Sequence, residues 1–94
     1  METSKISVLI ADDHSIVAGG IAAILSTTDA FHVADIVGDG QKVLEKIAET
    51  PIDLVLLDIN MPIMNGFGFL VEFEKMPEDF IKNIEVVMLT SSTS

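Results

Sequence analysis

Apolar residues in this chain occur in short β-branched runs separated by stretches of helical spacing. The runs predict four strands, at Lys5 to Ala11, His32 to Val37, Leu54 to Asp58 and Glu85 to Leu89. Apolar residues that recur every three or four positions predict helices at Ile16 to Leu25, Gln41 to Ala48 and Gly66 to Lys75. Because strands alternate with helices, the sequence predicts an α/β fold with a parallel sheet.

Polar and small residues mark where these elements begin and bend. Ser15 and Asp39 lie where helix N-caps are expected, and Pro77 is expected to open a short turn. The pair Gly19-Gly20 weakens the first predicted helix by up to about 1 kcal/mol per glycine relative to alanine. Gly66 is expected either to allow a close approach of the chain or to adopt a positive φ.

Composition narrows the class of protein. The 94 residues are enough for one domain, and a hydrophobic content of 49 % is enough for a core. The sequence contains no cysteine, no apolar run of membrane-spanning length and no secretory signal, so we expect a cytoplasmic protein without a membrane partner. The net charge of −10 predicts repulsion from phosphate backbones, and hence no direct nucleic-acid partner.

Acidic residues follow two of the predicted strands. Asp12 and Asp13 come after the first strand and Asp58 ends the third, and the carboxyl ends of parallel strands share one edge of the sheet. Two such charges 4 Å apart repel by roughly 4 kcal/mol at an intermediate dielectric, so a cation such as Mg²⁺ is expected among them. Asp58 then becomes a candidate nucleophile toward a phosphoryl group, and the hydroxyl of Thr90 a candidate donor to it.

Each of these residues also has a simpler explanation. Asp12-Asp13 alone is typical of a solvated turn or a helix cap, and Thr90 lies in a Ser/Thr cluster typical of a polar chain end. His14 and His32 are far apart in sequence and lack a metal-ligand spacing, so we interpret them as surface or strand histidines.

Three motifs together resemble the receiver domains of two-component response regulators. They are Ala11-Asp12-Asp13-His14, the segment Leu57 to Gly66, and Met88-Leu89-Thr90-Ser91. The resemblance implies a flavodoxin-like (CheY-like) three-layer sandwich, with strand order 2-1-3-4-5 for a complete domain. It makes residues 1–94 one receiver domain, a signalling module rather than an enzyme.

The resemblance also implies roles for individual residues. Asp58 is the phosphoacceptor and Thr90 the switch hydroxyl. Asp12, Asp13 and Asp58 hold Mg²⁺ together with the backbone carbonyl of Asn60. The implied partner is a sensor histidine kinase or a phosphotransfer protein.

The chain departs from the family pattern after the fourth strand. A fifth strand, the last two helices and the lysine that follows the fifth strand are missing, and neither Lys75 nor Lys82 has the position of that lysine. We therefore expect an incomplete receiver whose fourth strand is an uncovered edge and whose sheet face is partly exposed. Both features predict either a homo-oligomer or a piece of a longer protein.

Two alternatives remain open at this stage. The chain is either a competent receiver or a truncated or engineered receiver scaffold that self-associates without phosphorylation. The absent lysine is the feature that favours the second of these. A third class, haloacid-dehalogenase-type phosphohydrolases, needs a second carboxylate two residues after the nucleophile. That position is Asn60, which disfavours this class.

Overall fold

The computed structural model describes residues 5–89. Strands and helices alternate along it, in the order β1 (Ile6–Ala11), α1 (Ser15–Leu25), β2 (Phe31–Val37), α2 (Gly40–Glu49), β3 (Leu54–Asp58), α3 (Gly66–Glu74), α4 (Glu78–Ile81) and β4 (Glu85–Leu89). The predicted strands and helices are confirmed, with ends that differ by one residue at most. The short helix α4 was expected only as a turn, and Pro77 is its N-cap.

The strands form one parallel sheet in the order β2-β1-β3-β4. This is the order that the resemblance implies for the first four strands. β1 and β3 are neighbours, and Ala11 at the end of β1 pairs with Leu57, the residue before Asp58. The register therefore brings the acidic residues that follow β1 next to the last residue of β3.

Helices cover both faces of the sheet, so the three-layer α/β sandwich is confirmed. On one face a large cluster packs under α2 and α3, with Leu9, Ala11, Val37, Val43, Ile47, Ile52, Val55, Leu57, Met61, Phe69 and Phe73 buried. On the other face a small cluster packs under α1, with Val8, Ile10 and Ala18 buried. Alternation along β1 sends successive side chains to opposite clusters.

Capping residues fix where the helices begin. Asp39 accepts a hydrogen bond from the Lys42 N–H at 2.9 Å and caps α2 as predicted. The prediction that Ser15 caps α1 is wrong by one residue, because His14 occupies the N-cap position and Ser15 is the first helical residue. The chain turns one residue earlier because the carboxylate of Asp12 accepts the His14 N–H at 2.9 Å.

Glycines have different surroundings in α1 and α2. α1 runs through Gly19 and Gly20, and a Cβ added to either would meet no other atom within 4 Å. Gly40 instead donates its N–H to the Met64 carbonyl at 2.7 Å, which ties the start of α2 to the loop after β3. At Gly66 the expected close approach is observed without a positive φ, since an added Cβ would lie 3.0 Å from the Ile59 Cα.

Replacement of Gly40 with alanine is expected to destabilise the protein by about 1–3 kcal/mol, the usual cost of overpacking. The new Cβ would lie 2.7 Å from the Met64 carbonyl oxygen, which is backbone and cannot rotate away. Gly19→Ala is the matched control, and it should stabilise α1 by up to about 1 kcal/mol because nothing obstructs the methyl group. Urea unfolding of both variants tests the pair, and equal effects would contradict the prediction.

The described part of the sheet has an open edge at β4. Among residues 5–89, β4 pairs with β3 alone, and the Val87 side chain is 44 % exposed. Leu54 and Leu56 on β3 and Leu89 on β4 are only partly buried. No helix within this part of the chain is long and apolar enough to cross a bilayer.

Candidate metal centre

Three carboxylates and one imidazole meet at the carboxyl edge of the sheet. One ligand atom from each of Asp12, Asp13, His14 and Asp58 lies within 4.8 Å of the others. Asp12 and Asp58 are buried, with 6 % and 5 % of their surface exposed, whereas the Asp13 side chain is 37 % exposed. The structure thus brings together the three carboxylates that the sequence placed at this edge.

His14 is the member of the cluster that the sequence reasoning missed. It is exposed, as expected for a surface histidine, but its Nδ1 lies 2.9 Å from Asp12 Oδ1, 3.3 Å from Asp13 Oδ1 and 3.7 Å from Asp58 Oδ2. The hydrogen bond with Asp12 raises the pKa of His14, and the charges of Asp13 and Asp12 add to this effect. A protonated His14 would therefore act as a counter-ion to the carboxylates.

The environment of Asp58 disfavours its charge. Burial raises the pKa of its carboxyl group, and the neighbouring Asp12 acts in the same direction. The N–H of Asn60 donates to Asp58 Oδ1 at 3.2 Å and partly offsets the increase. A cation beside such a buried carboxylate would favour its ionised form.

The loop after Asp58 is held in a defined shape. Ile63 has a φ of 65°, a left-handed conformation that costs a β-branched residue about 1–3 kcal/mol. Met64 lies between two hydrogen bonds, one from its N–H to the Pro62 carbonyl and one from the Gly40 N–H to its own carbonyl. Asn65 then caps α3 by accepting the Gly68 N–H at 2.9 Å. These contacts stabilise the strained residue in the loop that follows Asp58.

The predicted roles of two further site residues, Asn60 and Thr90, stay predictions. Asn60 follows β3 at the site, and the structure shows its N–H on Asp58, while the role of its carbonyl as a metal ligand stays a prediction. Thr90 lies outside the described residues, so its role as switch hydroxyl also stays a prediction. Leu89, the last described residue, pairs with Asp58 in the sheet.

Comparison with known proteins identifies the family. The family model of the response regulator receiver domain matches residues 8–94. The chain belongs to this family. Membership implies a role in two-component signalling and confirms the resemblance drawn from the sequence motifs.

Curated relatives of this receiver chain are longer proteins. It is 36 % identical over 86 residues to the transcriptional regulatory protein LnrK of Bacillus subtilis, covering 92 % of the chain and 37 % of LnrK. It is 40 % identical over 89 residues to the response regulator protein VraR of Staphylococcus saprophyticus, covering 92 % of the chain and 39 % of VraR. A protein-glutamate methylesterase/protein-glutamine glutaminase of Treponema denticola is 38 % identical over 86 residues, which cover 92 % of the chain and 22 % of that enzyme. The chain thus spans less than half the length of these relatives.

Solved receiver structures share the fold. The chemotaxis response regulator CheY4 of Vibrio cholerae superposes with a TM-score of 0.80 at 27 % identity, over 97 % of this chain and 72 % of that one. A putative response regulator of Chloroflexus aurantiacus reaches a TM-score of 0.84 at 22 % identity, over 97 % of this chain and 71 % of that one. The CheY-like arrangement of the described strands and helices is therefore shown by comparison as well as by topology.

Proposed function

We propose that this receiver accepts a phosphoryl group on Asp58 from a sensor histidine kinase or a phosphotransfer protein, in a reaction that depends on Mg²⁺. The phosphorylated form then presents a changed surface to a partner or to an output domain. The observation that carries the proposal is the convergence of Asp12, Asp13 and Asp58 at one edge of the sheet, with ligand atoms within 4.8 Å.

The donor atoms of this cluster fit a hard divalent cation. Carboxylate and carbonyl oxygens are the ligands that Mg²⁺ takes, and it keeps several waters that a phosphoryl oxygen can replace. Asp12, Asp13, Asp58 and the Asn60 carbonyl would hold it. When bound, Mg²⁺ neutralises the carboxylates and the incoming phosphoryl group.

The reaction is a transfer between two nucleophiles. A carboxylate oxygen of Asp58 forms a bond to phosphorus while the phosphorus–nitrogen bond of the donor phosphohistidine breaks, and the leaving imidazole keeps the electron pair. The Asn60 N–H, 3.2 Å from Asp58 Oδ1, orients the carboxylate for this attack. Because only 5 % of Asp58 is exposed, its surroundings also limit the access of water to the product.

Phosphorylation would add about −1.5 to −2 charges at the site. We propose that Thr90 donates its hydroxyl to a phosphoryl oxygen and that the surface around β4 rearranges with it. The pairing of Leu89 with Asp58 supports this link between the acceptor and the end of β4.

The test is the intact mass of the chain after incubation with Mg²⁺ and a small-molecule phosphodonor. We expect one added phosphoryl group, which is absent in Asp58→Asn and absent when EDTA replaces Mg²⁺. A folded protein that gains no mass under any of these conditions would overturn the proposal.

A non-phosphorylated, self-associating scaffold is the second candidate function. Lys75 and Lys82 support it. They pair with Glu72 at 3.2 Å and Asp79 at 3.7 Å within their own helical segments, so neither takes the place of the lysine that follows the fifth strand in the family. The missing carboxylate at Asn60 leaves a phosphohydrolase without support.

The open edge of β4 separately predicts that the protein self-associates. Strand edges with unpaired backbone groups pair readily with other chains, and Val87 adds an apolar side chain there. Val87→Lys is therefore expected to shift the protein toward monomer in light scattering, since a charge blocks edge pairing. Val71→Lys, at another exposed valine on α3, is the control and should leave the mass unchanged. A monomeric unmodified protein at micromolar concentration would contradict the prediction.

A further inference from the structure

The turn between β2 and α2 connects the two halves of the carboxylate cluster. At the start of this β2–α2 turn, the Val37 carbonyl accepts the Asp12 N–H at 2.9 Å, and at its end the Gly40 N–H donates to the Met64 carbonyl at 2.7 Å. Asp12 belongs to the half that follows β1, and Met64 to the loop after β3, residues 59–65. Within the described part of the chain, the cluster includes no side chain of this turn. The turn therefore reaches both halves through its backbone.

The contact at Gly40 leaves no room for a side chain. Gly40 is buried, and a Cβ at this position would lie 2.7 Å from the Met64 carbonyl oxygen and 2.9 Å from the Met64 Cγ. Because the nearest of these atoms is backbone, a larger residue must displace the loop itself. Glycine thus allows the start of α2 and the loop after β3 to meet backbone to backbone.

The loop after β3 is held by two hydrogen bonds from outside it. At its base the Gly66 N–H donates to the Ile59 carbonyl at 2.9 Å, and Gly40 holds Met64 near the other end. Asn60, whose carbonyl is the proposed metal ligand, lies between Ile59 and Met64 in the chain. The bond from Gly66 closes the loop, while the bond from Gly40 ties it to α2. The path of the chain at Asn60 therefore depends on the start of α2.

We propose that Gly40 is a positioning residue of the metal centre, which raises the affinity for Mg²⁺ by holding the loop that carries the Asn60 carbonyl. The inference rests on the proposed function in one respect, namely that Mg²⁺ binds at the cluster. Groups that orient metal ligands without touching the metal typically contribute about 10–100-fold to affinity. Gly40 would act on phosphoryl transfer in this way, through the metal and without contact to the phosphoryl group.

The experiment measures the dissociation constant of Mg²⁺ by calorimetry for the unmodified chain, Gly40→Ala and two controls. We expect the constant to rise about tenfold or more in Gly40→Ala. Gly38→Ala is the matched control, because the same methyl group in the same turn would lie 3.9 Å from Asp13, an ordinary contact. Ile47→Val removes a buried methyl group near the end of α2 and controls for a general loss of stability. Both controls should keep the constant of the unmodified chain.

Two further measurements distinguish positioning from a general loss of structure. When a small-molecule phosphodonor phosphorylates Asp58, Gly40→Ala should need more Mg²⁺ for half of its maximal rate, and excess Mg²⁺ should restore most of the rate. In the unmodified chain, added Mg²⁺ should shift the amide NMR signal of Gly40, because the ion fixes the loop to which that N–H is bonded. The amide signal of Thr50, which donates to the Lys46 carbonyl at the other end of α2, should stay in place.

The outcomes separate this inference from the proposed function. If Mg²⁺ binds to Gly40→Ala with the constant of the unmodified chain, the inference fails and the proposed function stands. If Ile47→Val weakens Mg²⁺ binding as much as Gly40→Ala does, the effect is one of stability and the inference is overturned. If the unmodified chain binds no Mg²⁺, the proposed function fails and the inference fails with it.

Discussion

Phe69→Ala is expected to lower the free energy of unfolding by about 3–5 kcal/mol, which is a large part of the typical 5–15 kcal/mol of a small domain. Phe69 lies on the inner face of α3, is fully buried, and its ring centroid is 5.2 Å from that of Phe73. Removal of the ring leaves a cavity in the larger of the two clusters, which also supports β3. Equilibrium urea unfolding measures the loss.

Phe67→Ala is the matched control for this prediction. The substitution is the same and lies two residues away in the same helix, but Phe67 is 60 % exposed. Its removal should therefore cost much less, within roughly 0.5 kcal/mol of the unmodified chain. Similar losses in the two variants would mean that α3 does not pack on the sheet through Phe69.

Asp58→Asn is expected to raise the melting temperature of the metal-free protein while it removes the stabilisation by Mg²⁺. The physical reason is that Asp58 is a buried carboxylate beside Asp12, whereas an asparagine side chain carries no charge and can still accept the Asn60 N–H. Each kcal/mol gained raises the melting temperature by about 4–8 °C in a domain of this size. Thermal unfolding with EDTA and with Mg²⁺ measures both effects. A lower melting temperature in EDTA would contradict the prediction.

The difference in stability between Asp58→Asn and the unmodified chain depends on pH, and the direction of the pKa shift fixes its sign. Because burial raises the pKa of Asp58 in the folded state, the folded chain binds this proton more tightly than the unfolded chain does. Above the folded pKa, the ionised Asp58 therefore destabilises the folded state by its full free-energy cost. This destabilisation disappears as the pH falls through the folded pKa toward the unfolded pKa of about 3.9. The difference in stability between Asp58→Asn and the unmodified chain should shrink as the pH is lowered in EDTA.

The sequence was sufficient for the strands and for the meeting of Asp12 with Asp58. Both depend on simple rules, namely apolar runs of strand length and the shared edge of parallel strands. The place of His14 was not predictable in this way, because its contact with Asp58 joins residues that are distant in sequence and needs a particular side-chain direction. The nearest signal was the position of His14 directly after Asp12-Asp13. An aspartate side chain often accepts a hydrogen bond from the backbone N–H two residues later, as Asp12 does from His14.

The backbone conformation of the loop after Asp58 also could not be predicted from the sequence. A left-handed residue was considered at Gly66, but Ile63 adopts that conformation and Gly66 provides the close approach instead. Residue preference alone favours glycine at positive φ. In this loop the two hydrogen bonds of Met64 outweigh that preference, and one of them comes from Gly40 at the start of α2, which is distant in the sequence.

The unequal size of the two apolar clusters has a consequence for the metal centre. Asp58 ends a strand anchored in the large cluster, while Asp13 and His14 lead into α1, whose one fully buried side chain is Ala18. Helices held by few buried groups open locally at lower free energy than the rest of a domain. A cation bound by both Asp58 and Asp13 would slow amide hydrogen exchange in α1 more than in α3. We therefore expect the binding of an ion at this site to increase the order of the first helix.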